Sequence, residues 1–272
     1  VDHEQDEEIL VHEQDEEVLV YEQDEEVQMK TTGRDFMQAT YPENLSVSAQ
    51  DQGAQQPPLE LPLPAEAALI PLPPPADLEI PLIDLRRAIE QRRSRRSYKQ
   101  EPLTLAELSY LLWLTQGVKE VSKRPATLRT VPSAGARHAF ETYLLINNVT
   151  GLEPGLYRFA ACQHALIQLE MPANIRELVT HGCWDQKQVY NSAVTFLWVA
   201  VTERMAWRYV ERGYRYLHLD AGHVCQNLYL AAEAINCGVC AIAAYHDELL
   251  NSTLGLDGEE LFVIYVASLG KR

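Results

Sequence analysis

Residues 86–99 carry seven basic side chains in fourteen positions: Arg86, Arg87, Arg92, Arg93, Arg95, Arg96 and Lys99. Ser94 stands between alternate arginines, and a hydroxyl flanked by guanidinium forks is a donor set suited to a phosphate monoester. The plain alternative is a solvated basic face. Residues 86–272 hold 18 acids against 21 bases, so the cluster lies in a part of the chain whose net charge is only +3. One dense cluster on a near-neutral background suits a single phosphate. A nucleic-acid backbone would want a longer basic stripe with interleaved stacking aromatics. No nucleic-acid partner is expected.

The other reactive side chains are weaker signals. Asp220, His223 and Asn227 recur at i, i+3 and i+7 on one face of an expected helix, with His218 close by. Catalysis or metal binding is one reading; a helix edge or a subunit contact is the commoner one, and no metal is expected. Five cysteines (Cys162, Cys183, Cys225, Cys237, Cys240) form an odd set. The acidic start has neither a basic n-region nor an apolar h-region, so a reducing, cytoplasmic setting is expected. Cys237-x-x-Cys240 lacks a second pair or histidines at ligand spacing and runs into an apolar stretch, which predicts packed thiols. There is no G-x-G-x-x-G after a strand, no Walker A sequence and no G-x-S-x-G elbow.

These residues must be positioned by a folded domain, and its elements are legible. Leu82, Leu85 and Ile89 recur at helical spacing just before the arginines. Thr104-x-x-Glu107 is a capping box that opens a helix through Leu105, Leu108, Leu111, Leu112 and Leu114 to Gly117. Residues 140–149 read as a strand, 155–160 and 165–170 as a hairpin, and 172–182 as a short helix. Residues 193–202 (A-V-T-F-L-W-V-A-V-T) are almost continuously apolar, which suits a central strand covered on both faces. The longest amphipathic helix is expected over 217–236, followed by strands at 239–244 and 261–267 with a short helix at 247–253. Helices and strands mix without strict βαβ alternation, which points to an α+β domain with helices against a mixed sheet.

The chain has 272 residues, 46% of them apolar, and a formal net charge of −16. That acidity sits in the front third, where residues 1–85 hold 21 acids and two bases. Three nonapeptides, HEQDEEILV, HEQDEEVLV and YEQDEEVQM, fill residues 3–29. Like charges at this density repel, so residues 1–55 are read as an acidic, disordered arm; a docking tag for a partner or a tethered peptide substrate is the sharper alternative. Residues 56–81 are Pro-rich and predict an extended linker, whose interleaved Leu59, Leu61, Leu63, Leu72 and Leu78 suggest that it lies along a surface. Residues 82–272 form the folded domain. No apolar run is long enough to span a membrane.

Several motifs, in order, resemble one family. R-R-S-R-R-S-Y at 92–98 is similar to the R-x-S-x-R signature of the FMN-dependent nitroreductase superfamily, and V-P-S-A-G-A-R at 131–137 resembles its second flavin loop. L-S-Y-L-L-W-L-T-Q-G, P-G-L-Y and D-A-G-H-V-C-Q-N-L-Y-L-A-A-E-A resemble the SagB-type dehydrogenase branch. The resemblance spans about residues 78–270. It implies a mixed, mostly antiparallel sheet flanked by helices, and a homodimer with flavin at the subunit interface. It implies phosphate contacts at Arg92, Ser94 and Arg96, with a further contact at Lys271 and Arg272. It also implies a loop of Pro132, Ser133, Ala134 and Gly135 reaching the partner's flavin, a polar Gln186 near the ring, and backbone of Ala243 and Ala244 facing the ring.

Relatives that oxidise azolines in ribosomal peptides carry a Lys-Tyr pair where this chain has Arg208-Tyr209. A guanidinium has no lone pair with which to take a proton, so Arg208 cannot act as that base, while Tyr209 remains. The resemblance implies an FMN-dependent oxidoreductase that moves a hydride between a small-molecule or peptide substrate and flavin. The alternatives are an NAD(P)H-dependent nitro or quinone reductase, and a non-catalytic flavin-binding partner in a peptide-modifying complex.

Overall fold

The computed structural model describes residues 31–272 apart from Ala65 and Arg124. The three acidic repeats lie outside the described residues. In chain order the elements are α1 (Thr32–Ala39), β1 (Leu69–Pro71), α2 (Leu85–Gln91), α3 (Leu105–Gln116), β2 (Val118–Val121), β3 (Thr127–Arg129), β4 (Phe140–Ile146), β5 (Gly155–Ala160) and β6 (Ala165–Gln168). There follow α4 (Ile175–Gly182), α5 (Lys187–Tyr190), β7 (Val194–Val201), α6 (Thr202–Tyr209), α7 (Arg212–Ala234), β8 (Cys237–Ile242), α8 (Asp247–Thr253) and β9 (Leu261–Lys271). The capping box forms as expected: Glu107 N–H donates to Thr104 Oγ1 at 3.2 Å and Thr104 N–H to Glu107 Oε2 at 2.9 Å.

Seven strands make one sheet in the order β1-β6-β5-β4-β7-β9-β8, and every strand pair in it is antiparallel. The expectation is a mixed, mostly antiparallel sheet, and the antiparallel part is what the strand pairs show. β7 and β8 do run parallel to each other, but β9 inserts between them and pairs with both, so the parallel component shrinks to isolated bridges such as Ser94–Val239. β7 is buried along its whole length. Phe196, Trp198 and Ala200 join the core beneath α3 and α7, while Leu197 and Val199 join the one beneath α4 and α8. Period-two alternation inside a sheet covered on both faces is why the run reads as unbroken apolar sequence. Among the described residues no helix is long and apolar enough to cross a membrane.

Composition groups residues 31–55 with the acidic arm, yet they fold. They hold three acids, against thirteen in residues 1–29, so charge repulsion does not oppose packing there. α1 leads into a segment fastened to the helices: Arg212 donates to Thr40 O at 2.7 Å, Gln50 N–H to Trp207 O at 2.9 Å, and Trp207 Nε1 to Ala54 O at 3.1 Å. The Pro-rich stretch lies along the domain with Leu59, Leu61 and Leu63 half-buried and Leu72 buried, and Leu69–Pro71 adds an edge strand to β6. Its free carbonyls accept from arginines: Arg204 Nε reaches Pro58 O and an Arg158 nitrogen reaches Pro62 O, both at 2.8 Å. Proline supplies acceptors without donors, so buried guanidinium groups are apt partners.

Cys183, Cys225, Cys237 and Cys240 are buried and Cys162 is exposed. Burial pushes the thiols of Cys183, Cys225 and Cys237 up to about 12. Brief iodoacetamide treatment of the folded protein is expected to alkylate Cys162 alone, as read by peptide mass spectrometry. Comparable labelling of Cys237 or Cys240 would show the C-x-x-C pair open to chemistry.

Candidate functional site

The residues singled out by sequence gather in three groups along α7. The first is the basic segment. Residues 92–99 run across the end of the sheet, where Arg95 N–H donates to Val239 O at 2.8 Å and Lys99 N–H to Lys271 O at 2.9 Å. This register is possible because Gly238 and Gly270 face each other across β8 and β9. A side-chain carbon at Gly238 would lie 2.6 Å from Arg95 Cβ, and one at Gly270 2.7 Å from Tyr98 Cγ. The segment is thus seated on a glycine pair. Ser94 Oγ shares a 2.9 Å hydrogen bond with Tyr229 Oη, and the Arg92 guanidinium lies 5.1 Å over the Tyr229 ring. Arg96 is exposed. Two guanidinium groups and a hydroxyl on one seated strand fit a phosphate monoester.

The second group surrounds the loop Pro132–Ser133–Ala134–Gly135. Ala134 N–H donates to the Asp220 carboxylate at 3.2 and 3.3 Å, and His138 N–H donates to Ser133 Oγ at 2.9 Å. The backbone is left-handed at Gly135, Ala136 and His138, with φ of 56°, 53° and 44°. Gly135 is required by contact as well as by φ: a Cβ there would lie 2.4 Å from Tyr209 Oη and 3.3 Å from Arg208 Cδ. The structure therefore brings Arg208 and Tyr209 onto this loop. The Arg208 guanidinium lies 5.5 Å over the Tyr209 ring, which meets Tyr216 edge-on at 4.9 Å. Burial raises the Asp220 carboxyl above its usual range, opposed by its bonds from Ser133 and Ala134. Burial beside Arg129 and Arg137 pushes His138 down to about 3, so its ring is neutral.

The third group is Gln186 with Ala243 and Ala244. Gln186 Nε2 donates to Ala244 O at 2.8 Å, and Gln188 Nε2 braces Gln186 Oε1 at 2.7 Å. Ala243 lines a cleft of about 290 Å³ with His218, Ala221, Gly222, Ile264 and Tyr265. Ala241 N–H donates to Tyr229 Oη at 2.9 Å, which ties this stretch to Ser94 and the basic segment. Asp220 and Tyr229 are nine residues apart on α7, about 13 Å of helix rise. Within one chain, the loop group and the basic segment therefore do not converge.

Four sequence candidates are used elsewhere. Lys271 pairs with Glu107 and donates to Ile235 O, and Arg272 lies 3.0 Å from Glu233, so the further phosphate contact expected of them is taken up inside the chain. Asn227 donates to Leu114 O at 2.8 Å and Asp220 holds the loop, so the polar face of α7 positions backbone. Among the described residues no cluster of His, Cys, Asp and Glu is arranged to hold a metal. Sequence reasoning missed Tyr229 and Tyr98, although a tyrosine within an arginine cluster and another in an apolar helix face are the available signals.

A model of the nitroreductase family matches residues 89–271. The chain is 30% identical over 188 residues to the nitroreductase-type protein MJ1384 of Methanocaldococcus jannaschii, covering 69% of this chain and 92% of that one. It is 26% identical over 154 residues to the trifolitoxin-processing protein TfxB of Rhizobium leguminosarum, covering 55% of this chain and 41% of TfxB. The crystal structure of a nitroreductase-type protein from Anabaena variabilis superposes with a TM-score of 0.58 at 33% identity, over 69% of this chain and 38% of that chain. The seated arginine segment, the strained loop and the sheet order occur together in a chain that belongs to the nitroreductase family of oxidoreductases.

Proposed function

We propose that the chain is an FMN-dependent oxidoreductase of SagB type, acting as a homodimer on a small-molecule or peptide substrate. The observation that carries this reading is the segment 92–96, seated on the Gly238–Gly270 pair with Arg92, Ser94 and Arg96 at the end of the sheet. These residues would hold the FMN phosphate, while Gln186 and the backbone at Ala243 and Ala244 would face the ring. Bound flavin supplies the two-electron redox chemistry. Tyr209 would hold or pass a proton, and Arg208, 5.5 Å over its ring, would orient it. Separation of the loop group from the basic segment within one chain supports a site completed by a second copy. So does the exposed stripe of His218, Leu219, Gly222, His223 and Gln226 on α7. TfxB is by its name a trifolitoxin-processing protein, and the likeness favours a substrate of the kind that TfxB processes. The likeness to MJ1384, a nitroreductase-type protein by its name, favours the alternative of nitro reduction.

Purified protein is expected to carry absorbance near 450 nm. Arg96→Ala is expected to weaken FMN retention about tenfold or more, the scale of one lost charge-assisted phosphate contact. Unaltered occupancy would overturn the phosphate assignment. Anaerobic mixing with NADH or NADPH separates the two chemistries: rapid bleaching favours the reductase, and none favours the dehydrogenase.

A further inference from the structure

The edge of the sheet beside the basic segment is finished by a side chain. β8 is the last strand in the sheet order, so the groups on its outer edge have no full strand to pair with. Residues 239 and 241 face that edge, since alternate residues of a strand point their N–H and C=O the same way. Val239 O accepts Arg95 N–H at 2.8 Å. The next donor along the edge, Ala241 N–H, is taken by Tyr229 Oη at 2.9 Å.

Tyr229 stands on α7 with its ring buried. The same Oη lies 2.9 Å from Ser94 Oγ, and the Arg92 guanidinium lies 5.1 Å over the ring. One side chain therefore touches two of the three residues to which the phosphate is assigned.

Valence sets the direction of these bonds. A backbone N–H only donates, so Tyr229 Oη accepts from Ala241. The phenol proton then needs an acceptor, and among the described residues Ser94 Oγ is that acceptor. Ser94 Oγ thus accepts from Tyr229, and its own proton is turned away from the phenol. Ser94 is exposed, so this O–H is left to donate to a bound anion. A hydroxyl that could rotate either way becomes a fixed donor, and phosphate oxygens are acceptors.

Resting on the flavin reading above, we infer that Tyr229 is the positioning residue of the phosphate seat: it holds Ser94 as a donor toward the anion and carries Arg92 on its ring. The relay from Ala241 N–H through Tyr229 to Ser94 serves only a ligand that ends in a phosphate. It therefore favours FMN over riboflavin, which has the same ring and no phosphate.

The full chain, depleted of bound flavin, is titrated with FMN and with riboflavin and followed by quenching of flavin fluorescence. Ser94→Ala is expected to raise the Kd for FMN about tenfold, the scale of one hydrogen bond to a charged group. Tyr229→Phe keeps the ring beneath Arg92 and removes the hydroxyl; it is expected to raise the same Kd about three- to tenfold. Riboflavin affinity is expected to change less than about twofold in either, a selectivity that a merely structural role would not produce. Because the hydroxyl acts through Ser94, the double variant is expected to match Ser94→Ala within about twofold. Wild-type FMN affinity in Tyr229→Phe, equal losses for both flavins, or fully multiplicative losses in the double variant overturns the role. One readout needs no change at Tyr229: Ser94→Ala removes the acceptor of the phenol, so the tyrosine ultraviolet band is expected to move to shorter wavelength. No shift overturns the direction of the bond. A wild-type chain that binds neither flavin overturns the flavin reading instead, and the ultraviolet shift then still decides the Tyr229–Ser94 bond.

Discussion

On the proposed FMN reading, Gly270→Ala is expected to strip the protein of flavin while leaving it folded. The added carbon would lie 2.7 Å from Tyr98 Cγ and 2.8 Å from Tyr98 Cβ, so Tyr98 must move. Its hydroxyl donates to Arg95 O at 2.8 Å and lies 2.8 Å from Ser268 Oγ. Displacing the ring therefore loosens Arg95, and with it the bond from Arg95 N–H to Val239 O that places Ser94 and Arg96. Overpacking of this kind costs roughly 1–3 kcal/mol of stability. The phosphate contacts proposed for Arg92, Ser94 and Arg96 depend on the register of the whole segment, so FMN retention is expected to fall by at least about tenfold, the scale of one or two charge-assisted bonds. Gly238→Ala is expected to act the same way through Arg95. The measurement is absorbance at 450 nm after gel filtration, set beside the melting temperature. A Gly270→Ala protein with full flavin would show that Tyr98 does not seat the arginines.

The largest loss of stability is expected from Glu141→Ala. Glu141 and Arg204 are ion-paired at 2.5 Å with 3% exposure each, and the same carboxylate oxygen accepts Leu61 N–H at 2.8 Å. Burial pushes the nearby Arg129 guanidinium down, and the Glu141 charge is the leading influence that opposes this. Removing the carboxylate strands two buried cations and releases the Pro-rich strap. Breaking a buried pair from one side costs about 3–5 kcal/mol. Urea unfolding midpoints should show a loss of that size, with Glu141→Gln falling between, because it keeps an acceptor for Leu61 and loses only the charge. A shift below about 1 kcal/mol, the size seen for exposed pairs, would mean that water reaches Arg204.

Sequence was most informative where local signals and tertiary demands agree. Thr104 and Glu107 mark the start of α3 because the two residues satisfy each other's backbone. The apolar run of β7 marks a strand buried on both faces. The short α6 was not legible, because residues 202–209 mix four apolar side chains with three charged ones over barely two turns, and the helix packs on α7. Nor was β1, since Pro71 and its neighbours read as linker until β6 offers an edge. The motifs located the basic segment and the loop, but not the glycine pair beneath one or the Asp220 contact holding the other. Those partners lie far along the chain, 86 residues apart for Ala134 and Asp220. A glutamate inside the strand F-E-T-Y-L-L-I was the available sign of a buried charge, and its partner Arg204 is 63 residues away.

The position of β9 carries a consequence for how the chain must be made. β7 pairs with β4 on one edge, and its other edge waits for a strand whose register partners Val194 and Leu269 lie 75 residues apart. Until β9 arrives, an eight-residue apolar edge stands open, the kind of edge that recruits strands from other chains. Closing such a distant pairing is slow relative to local structure. Soluble yield should therefore rise at low expression temperature or with a chaperone that shields strand edges, because the interval before β9 docks is when copies of this chain are most exposed to one another.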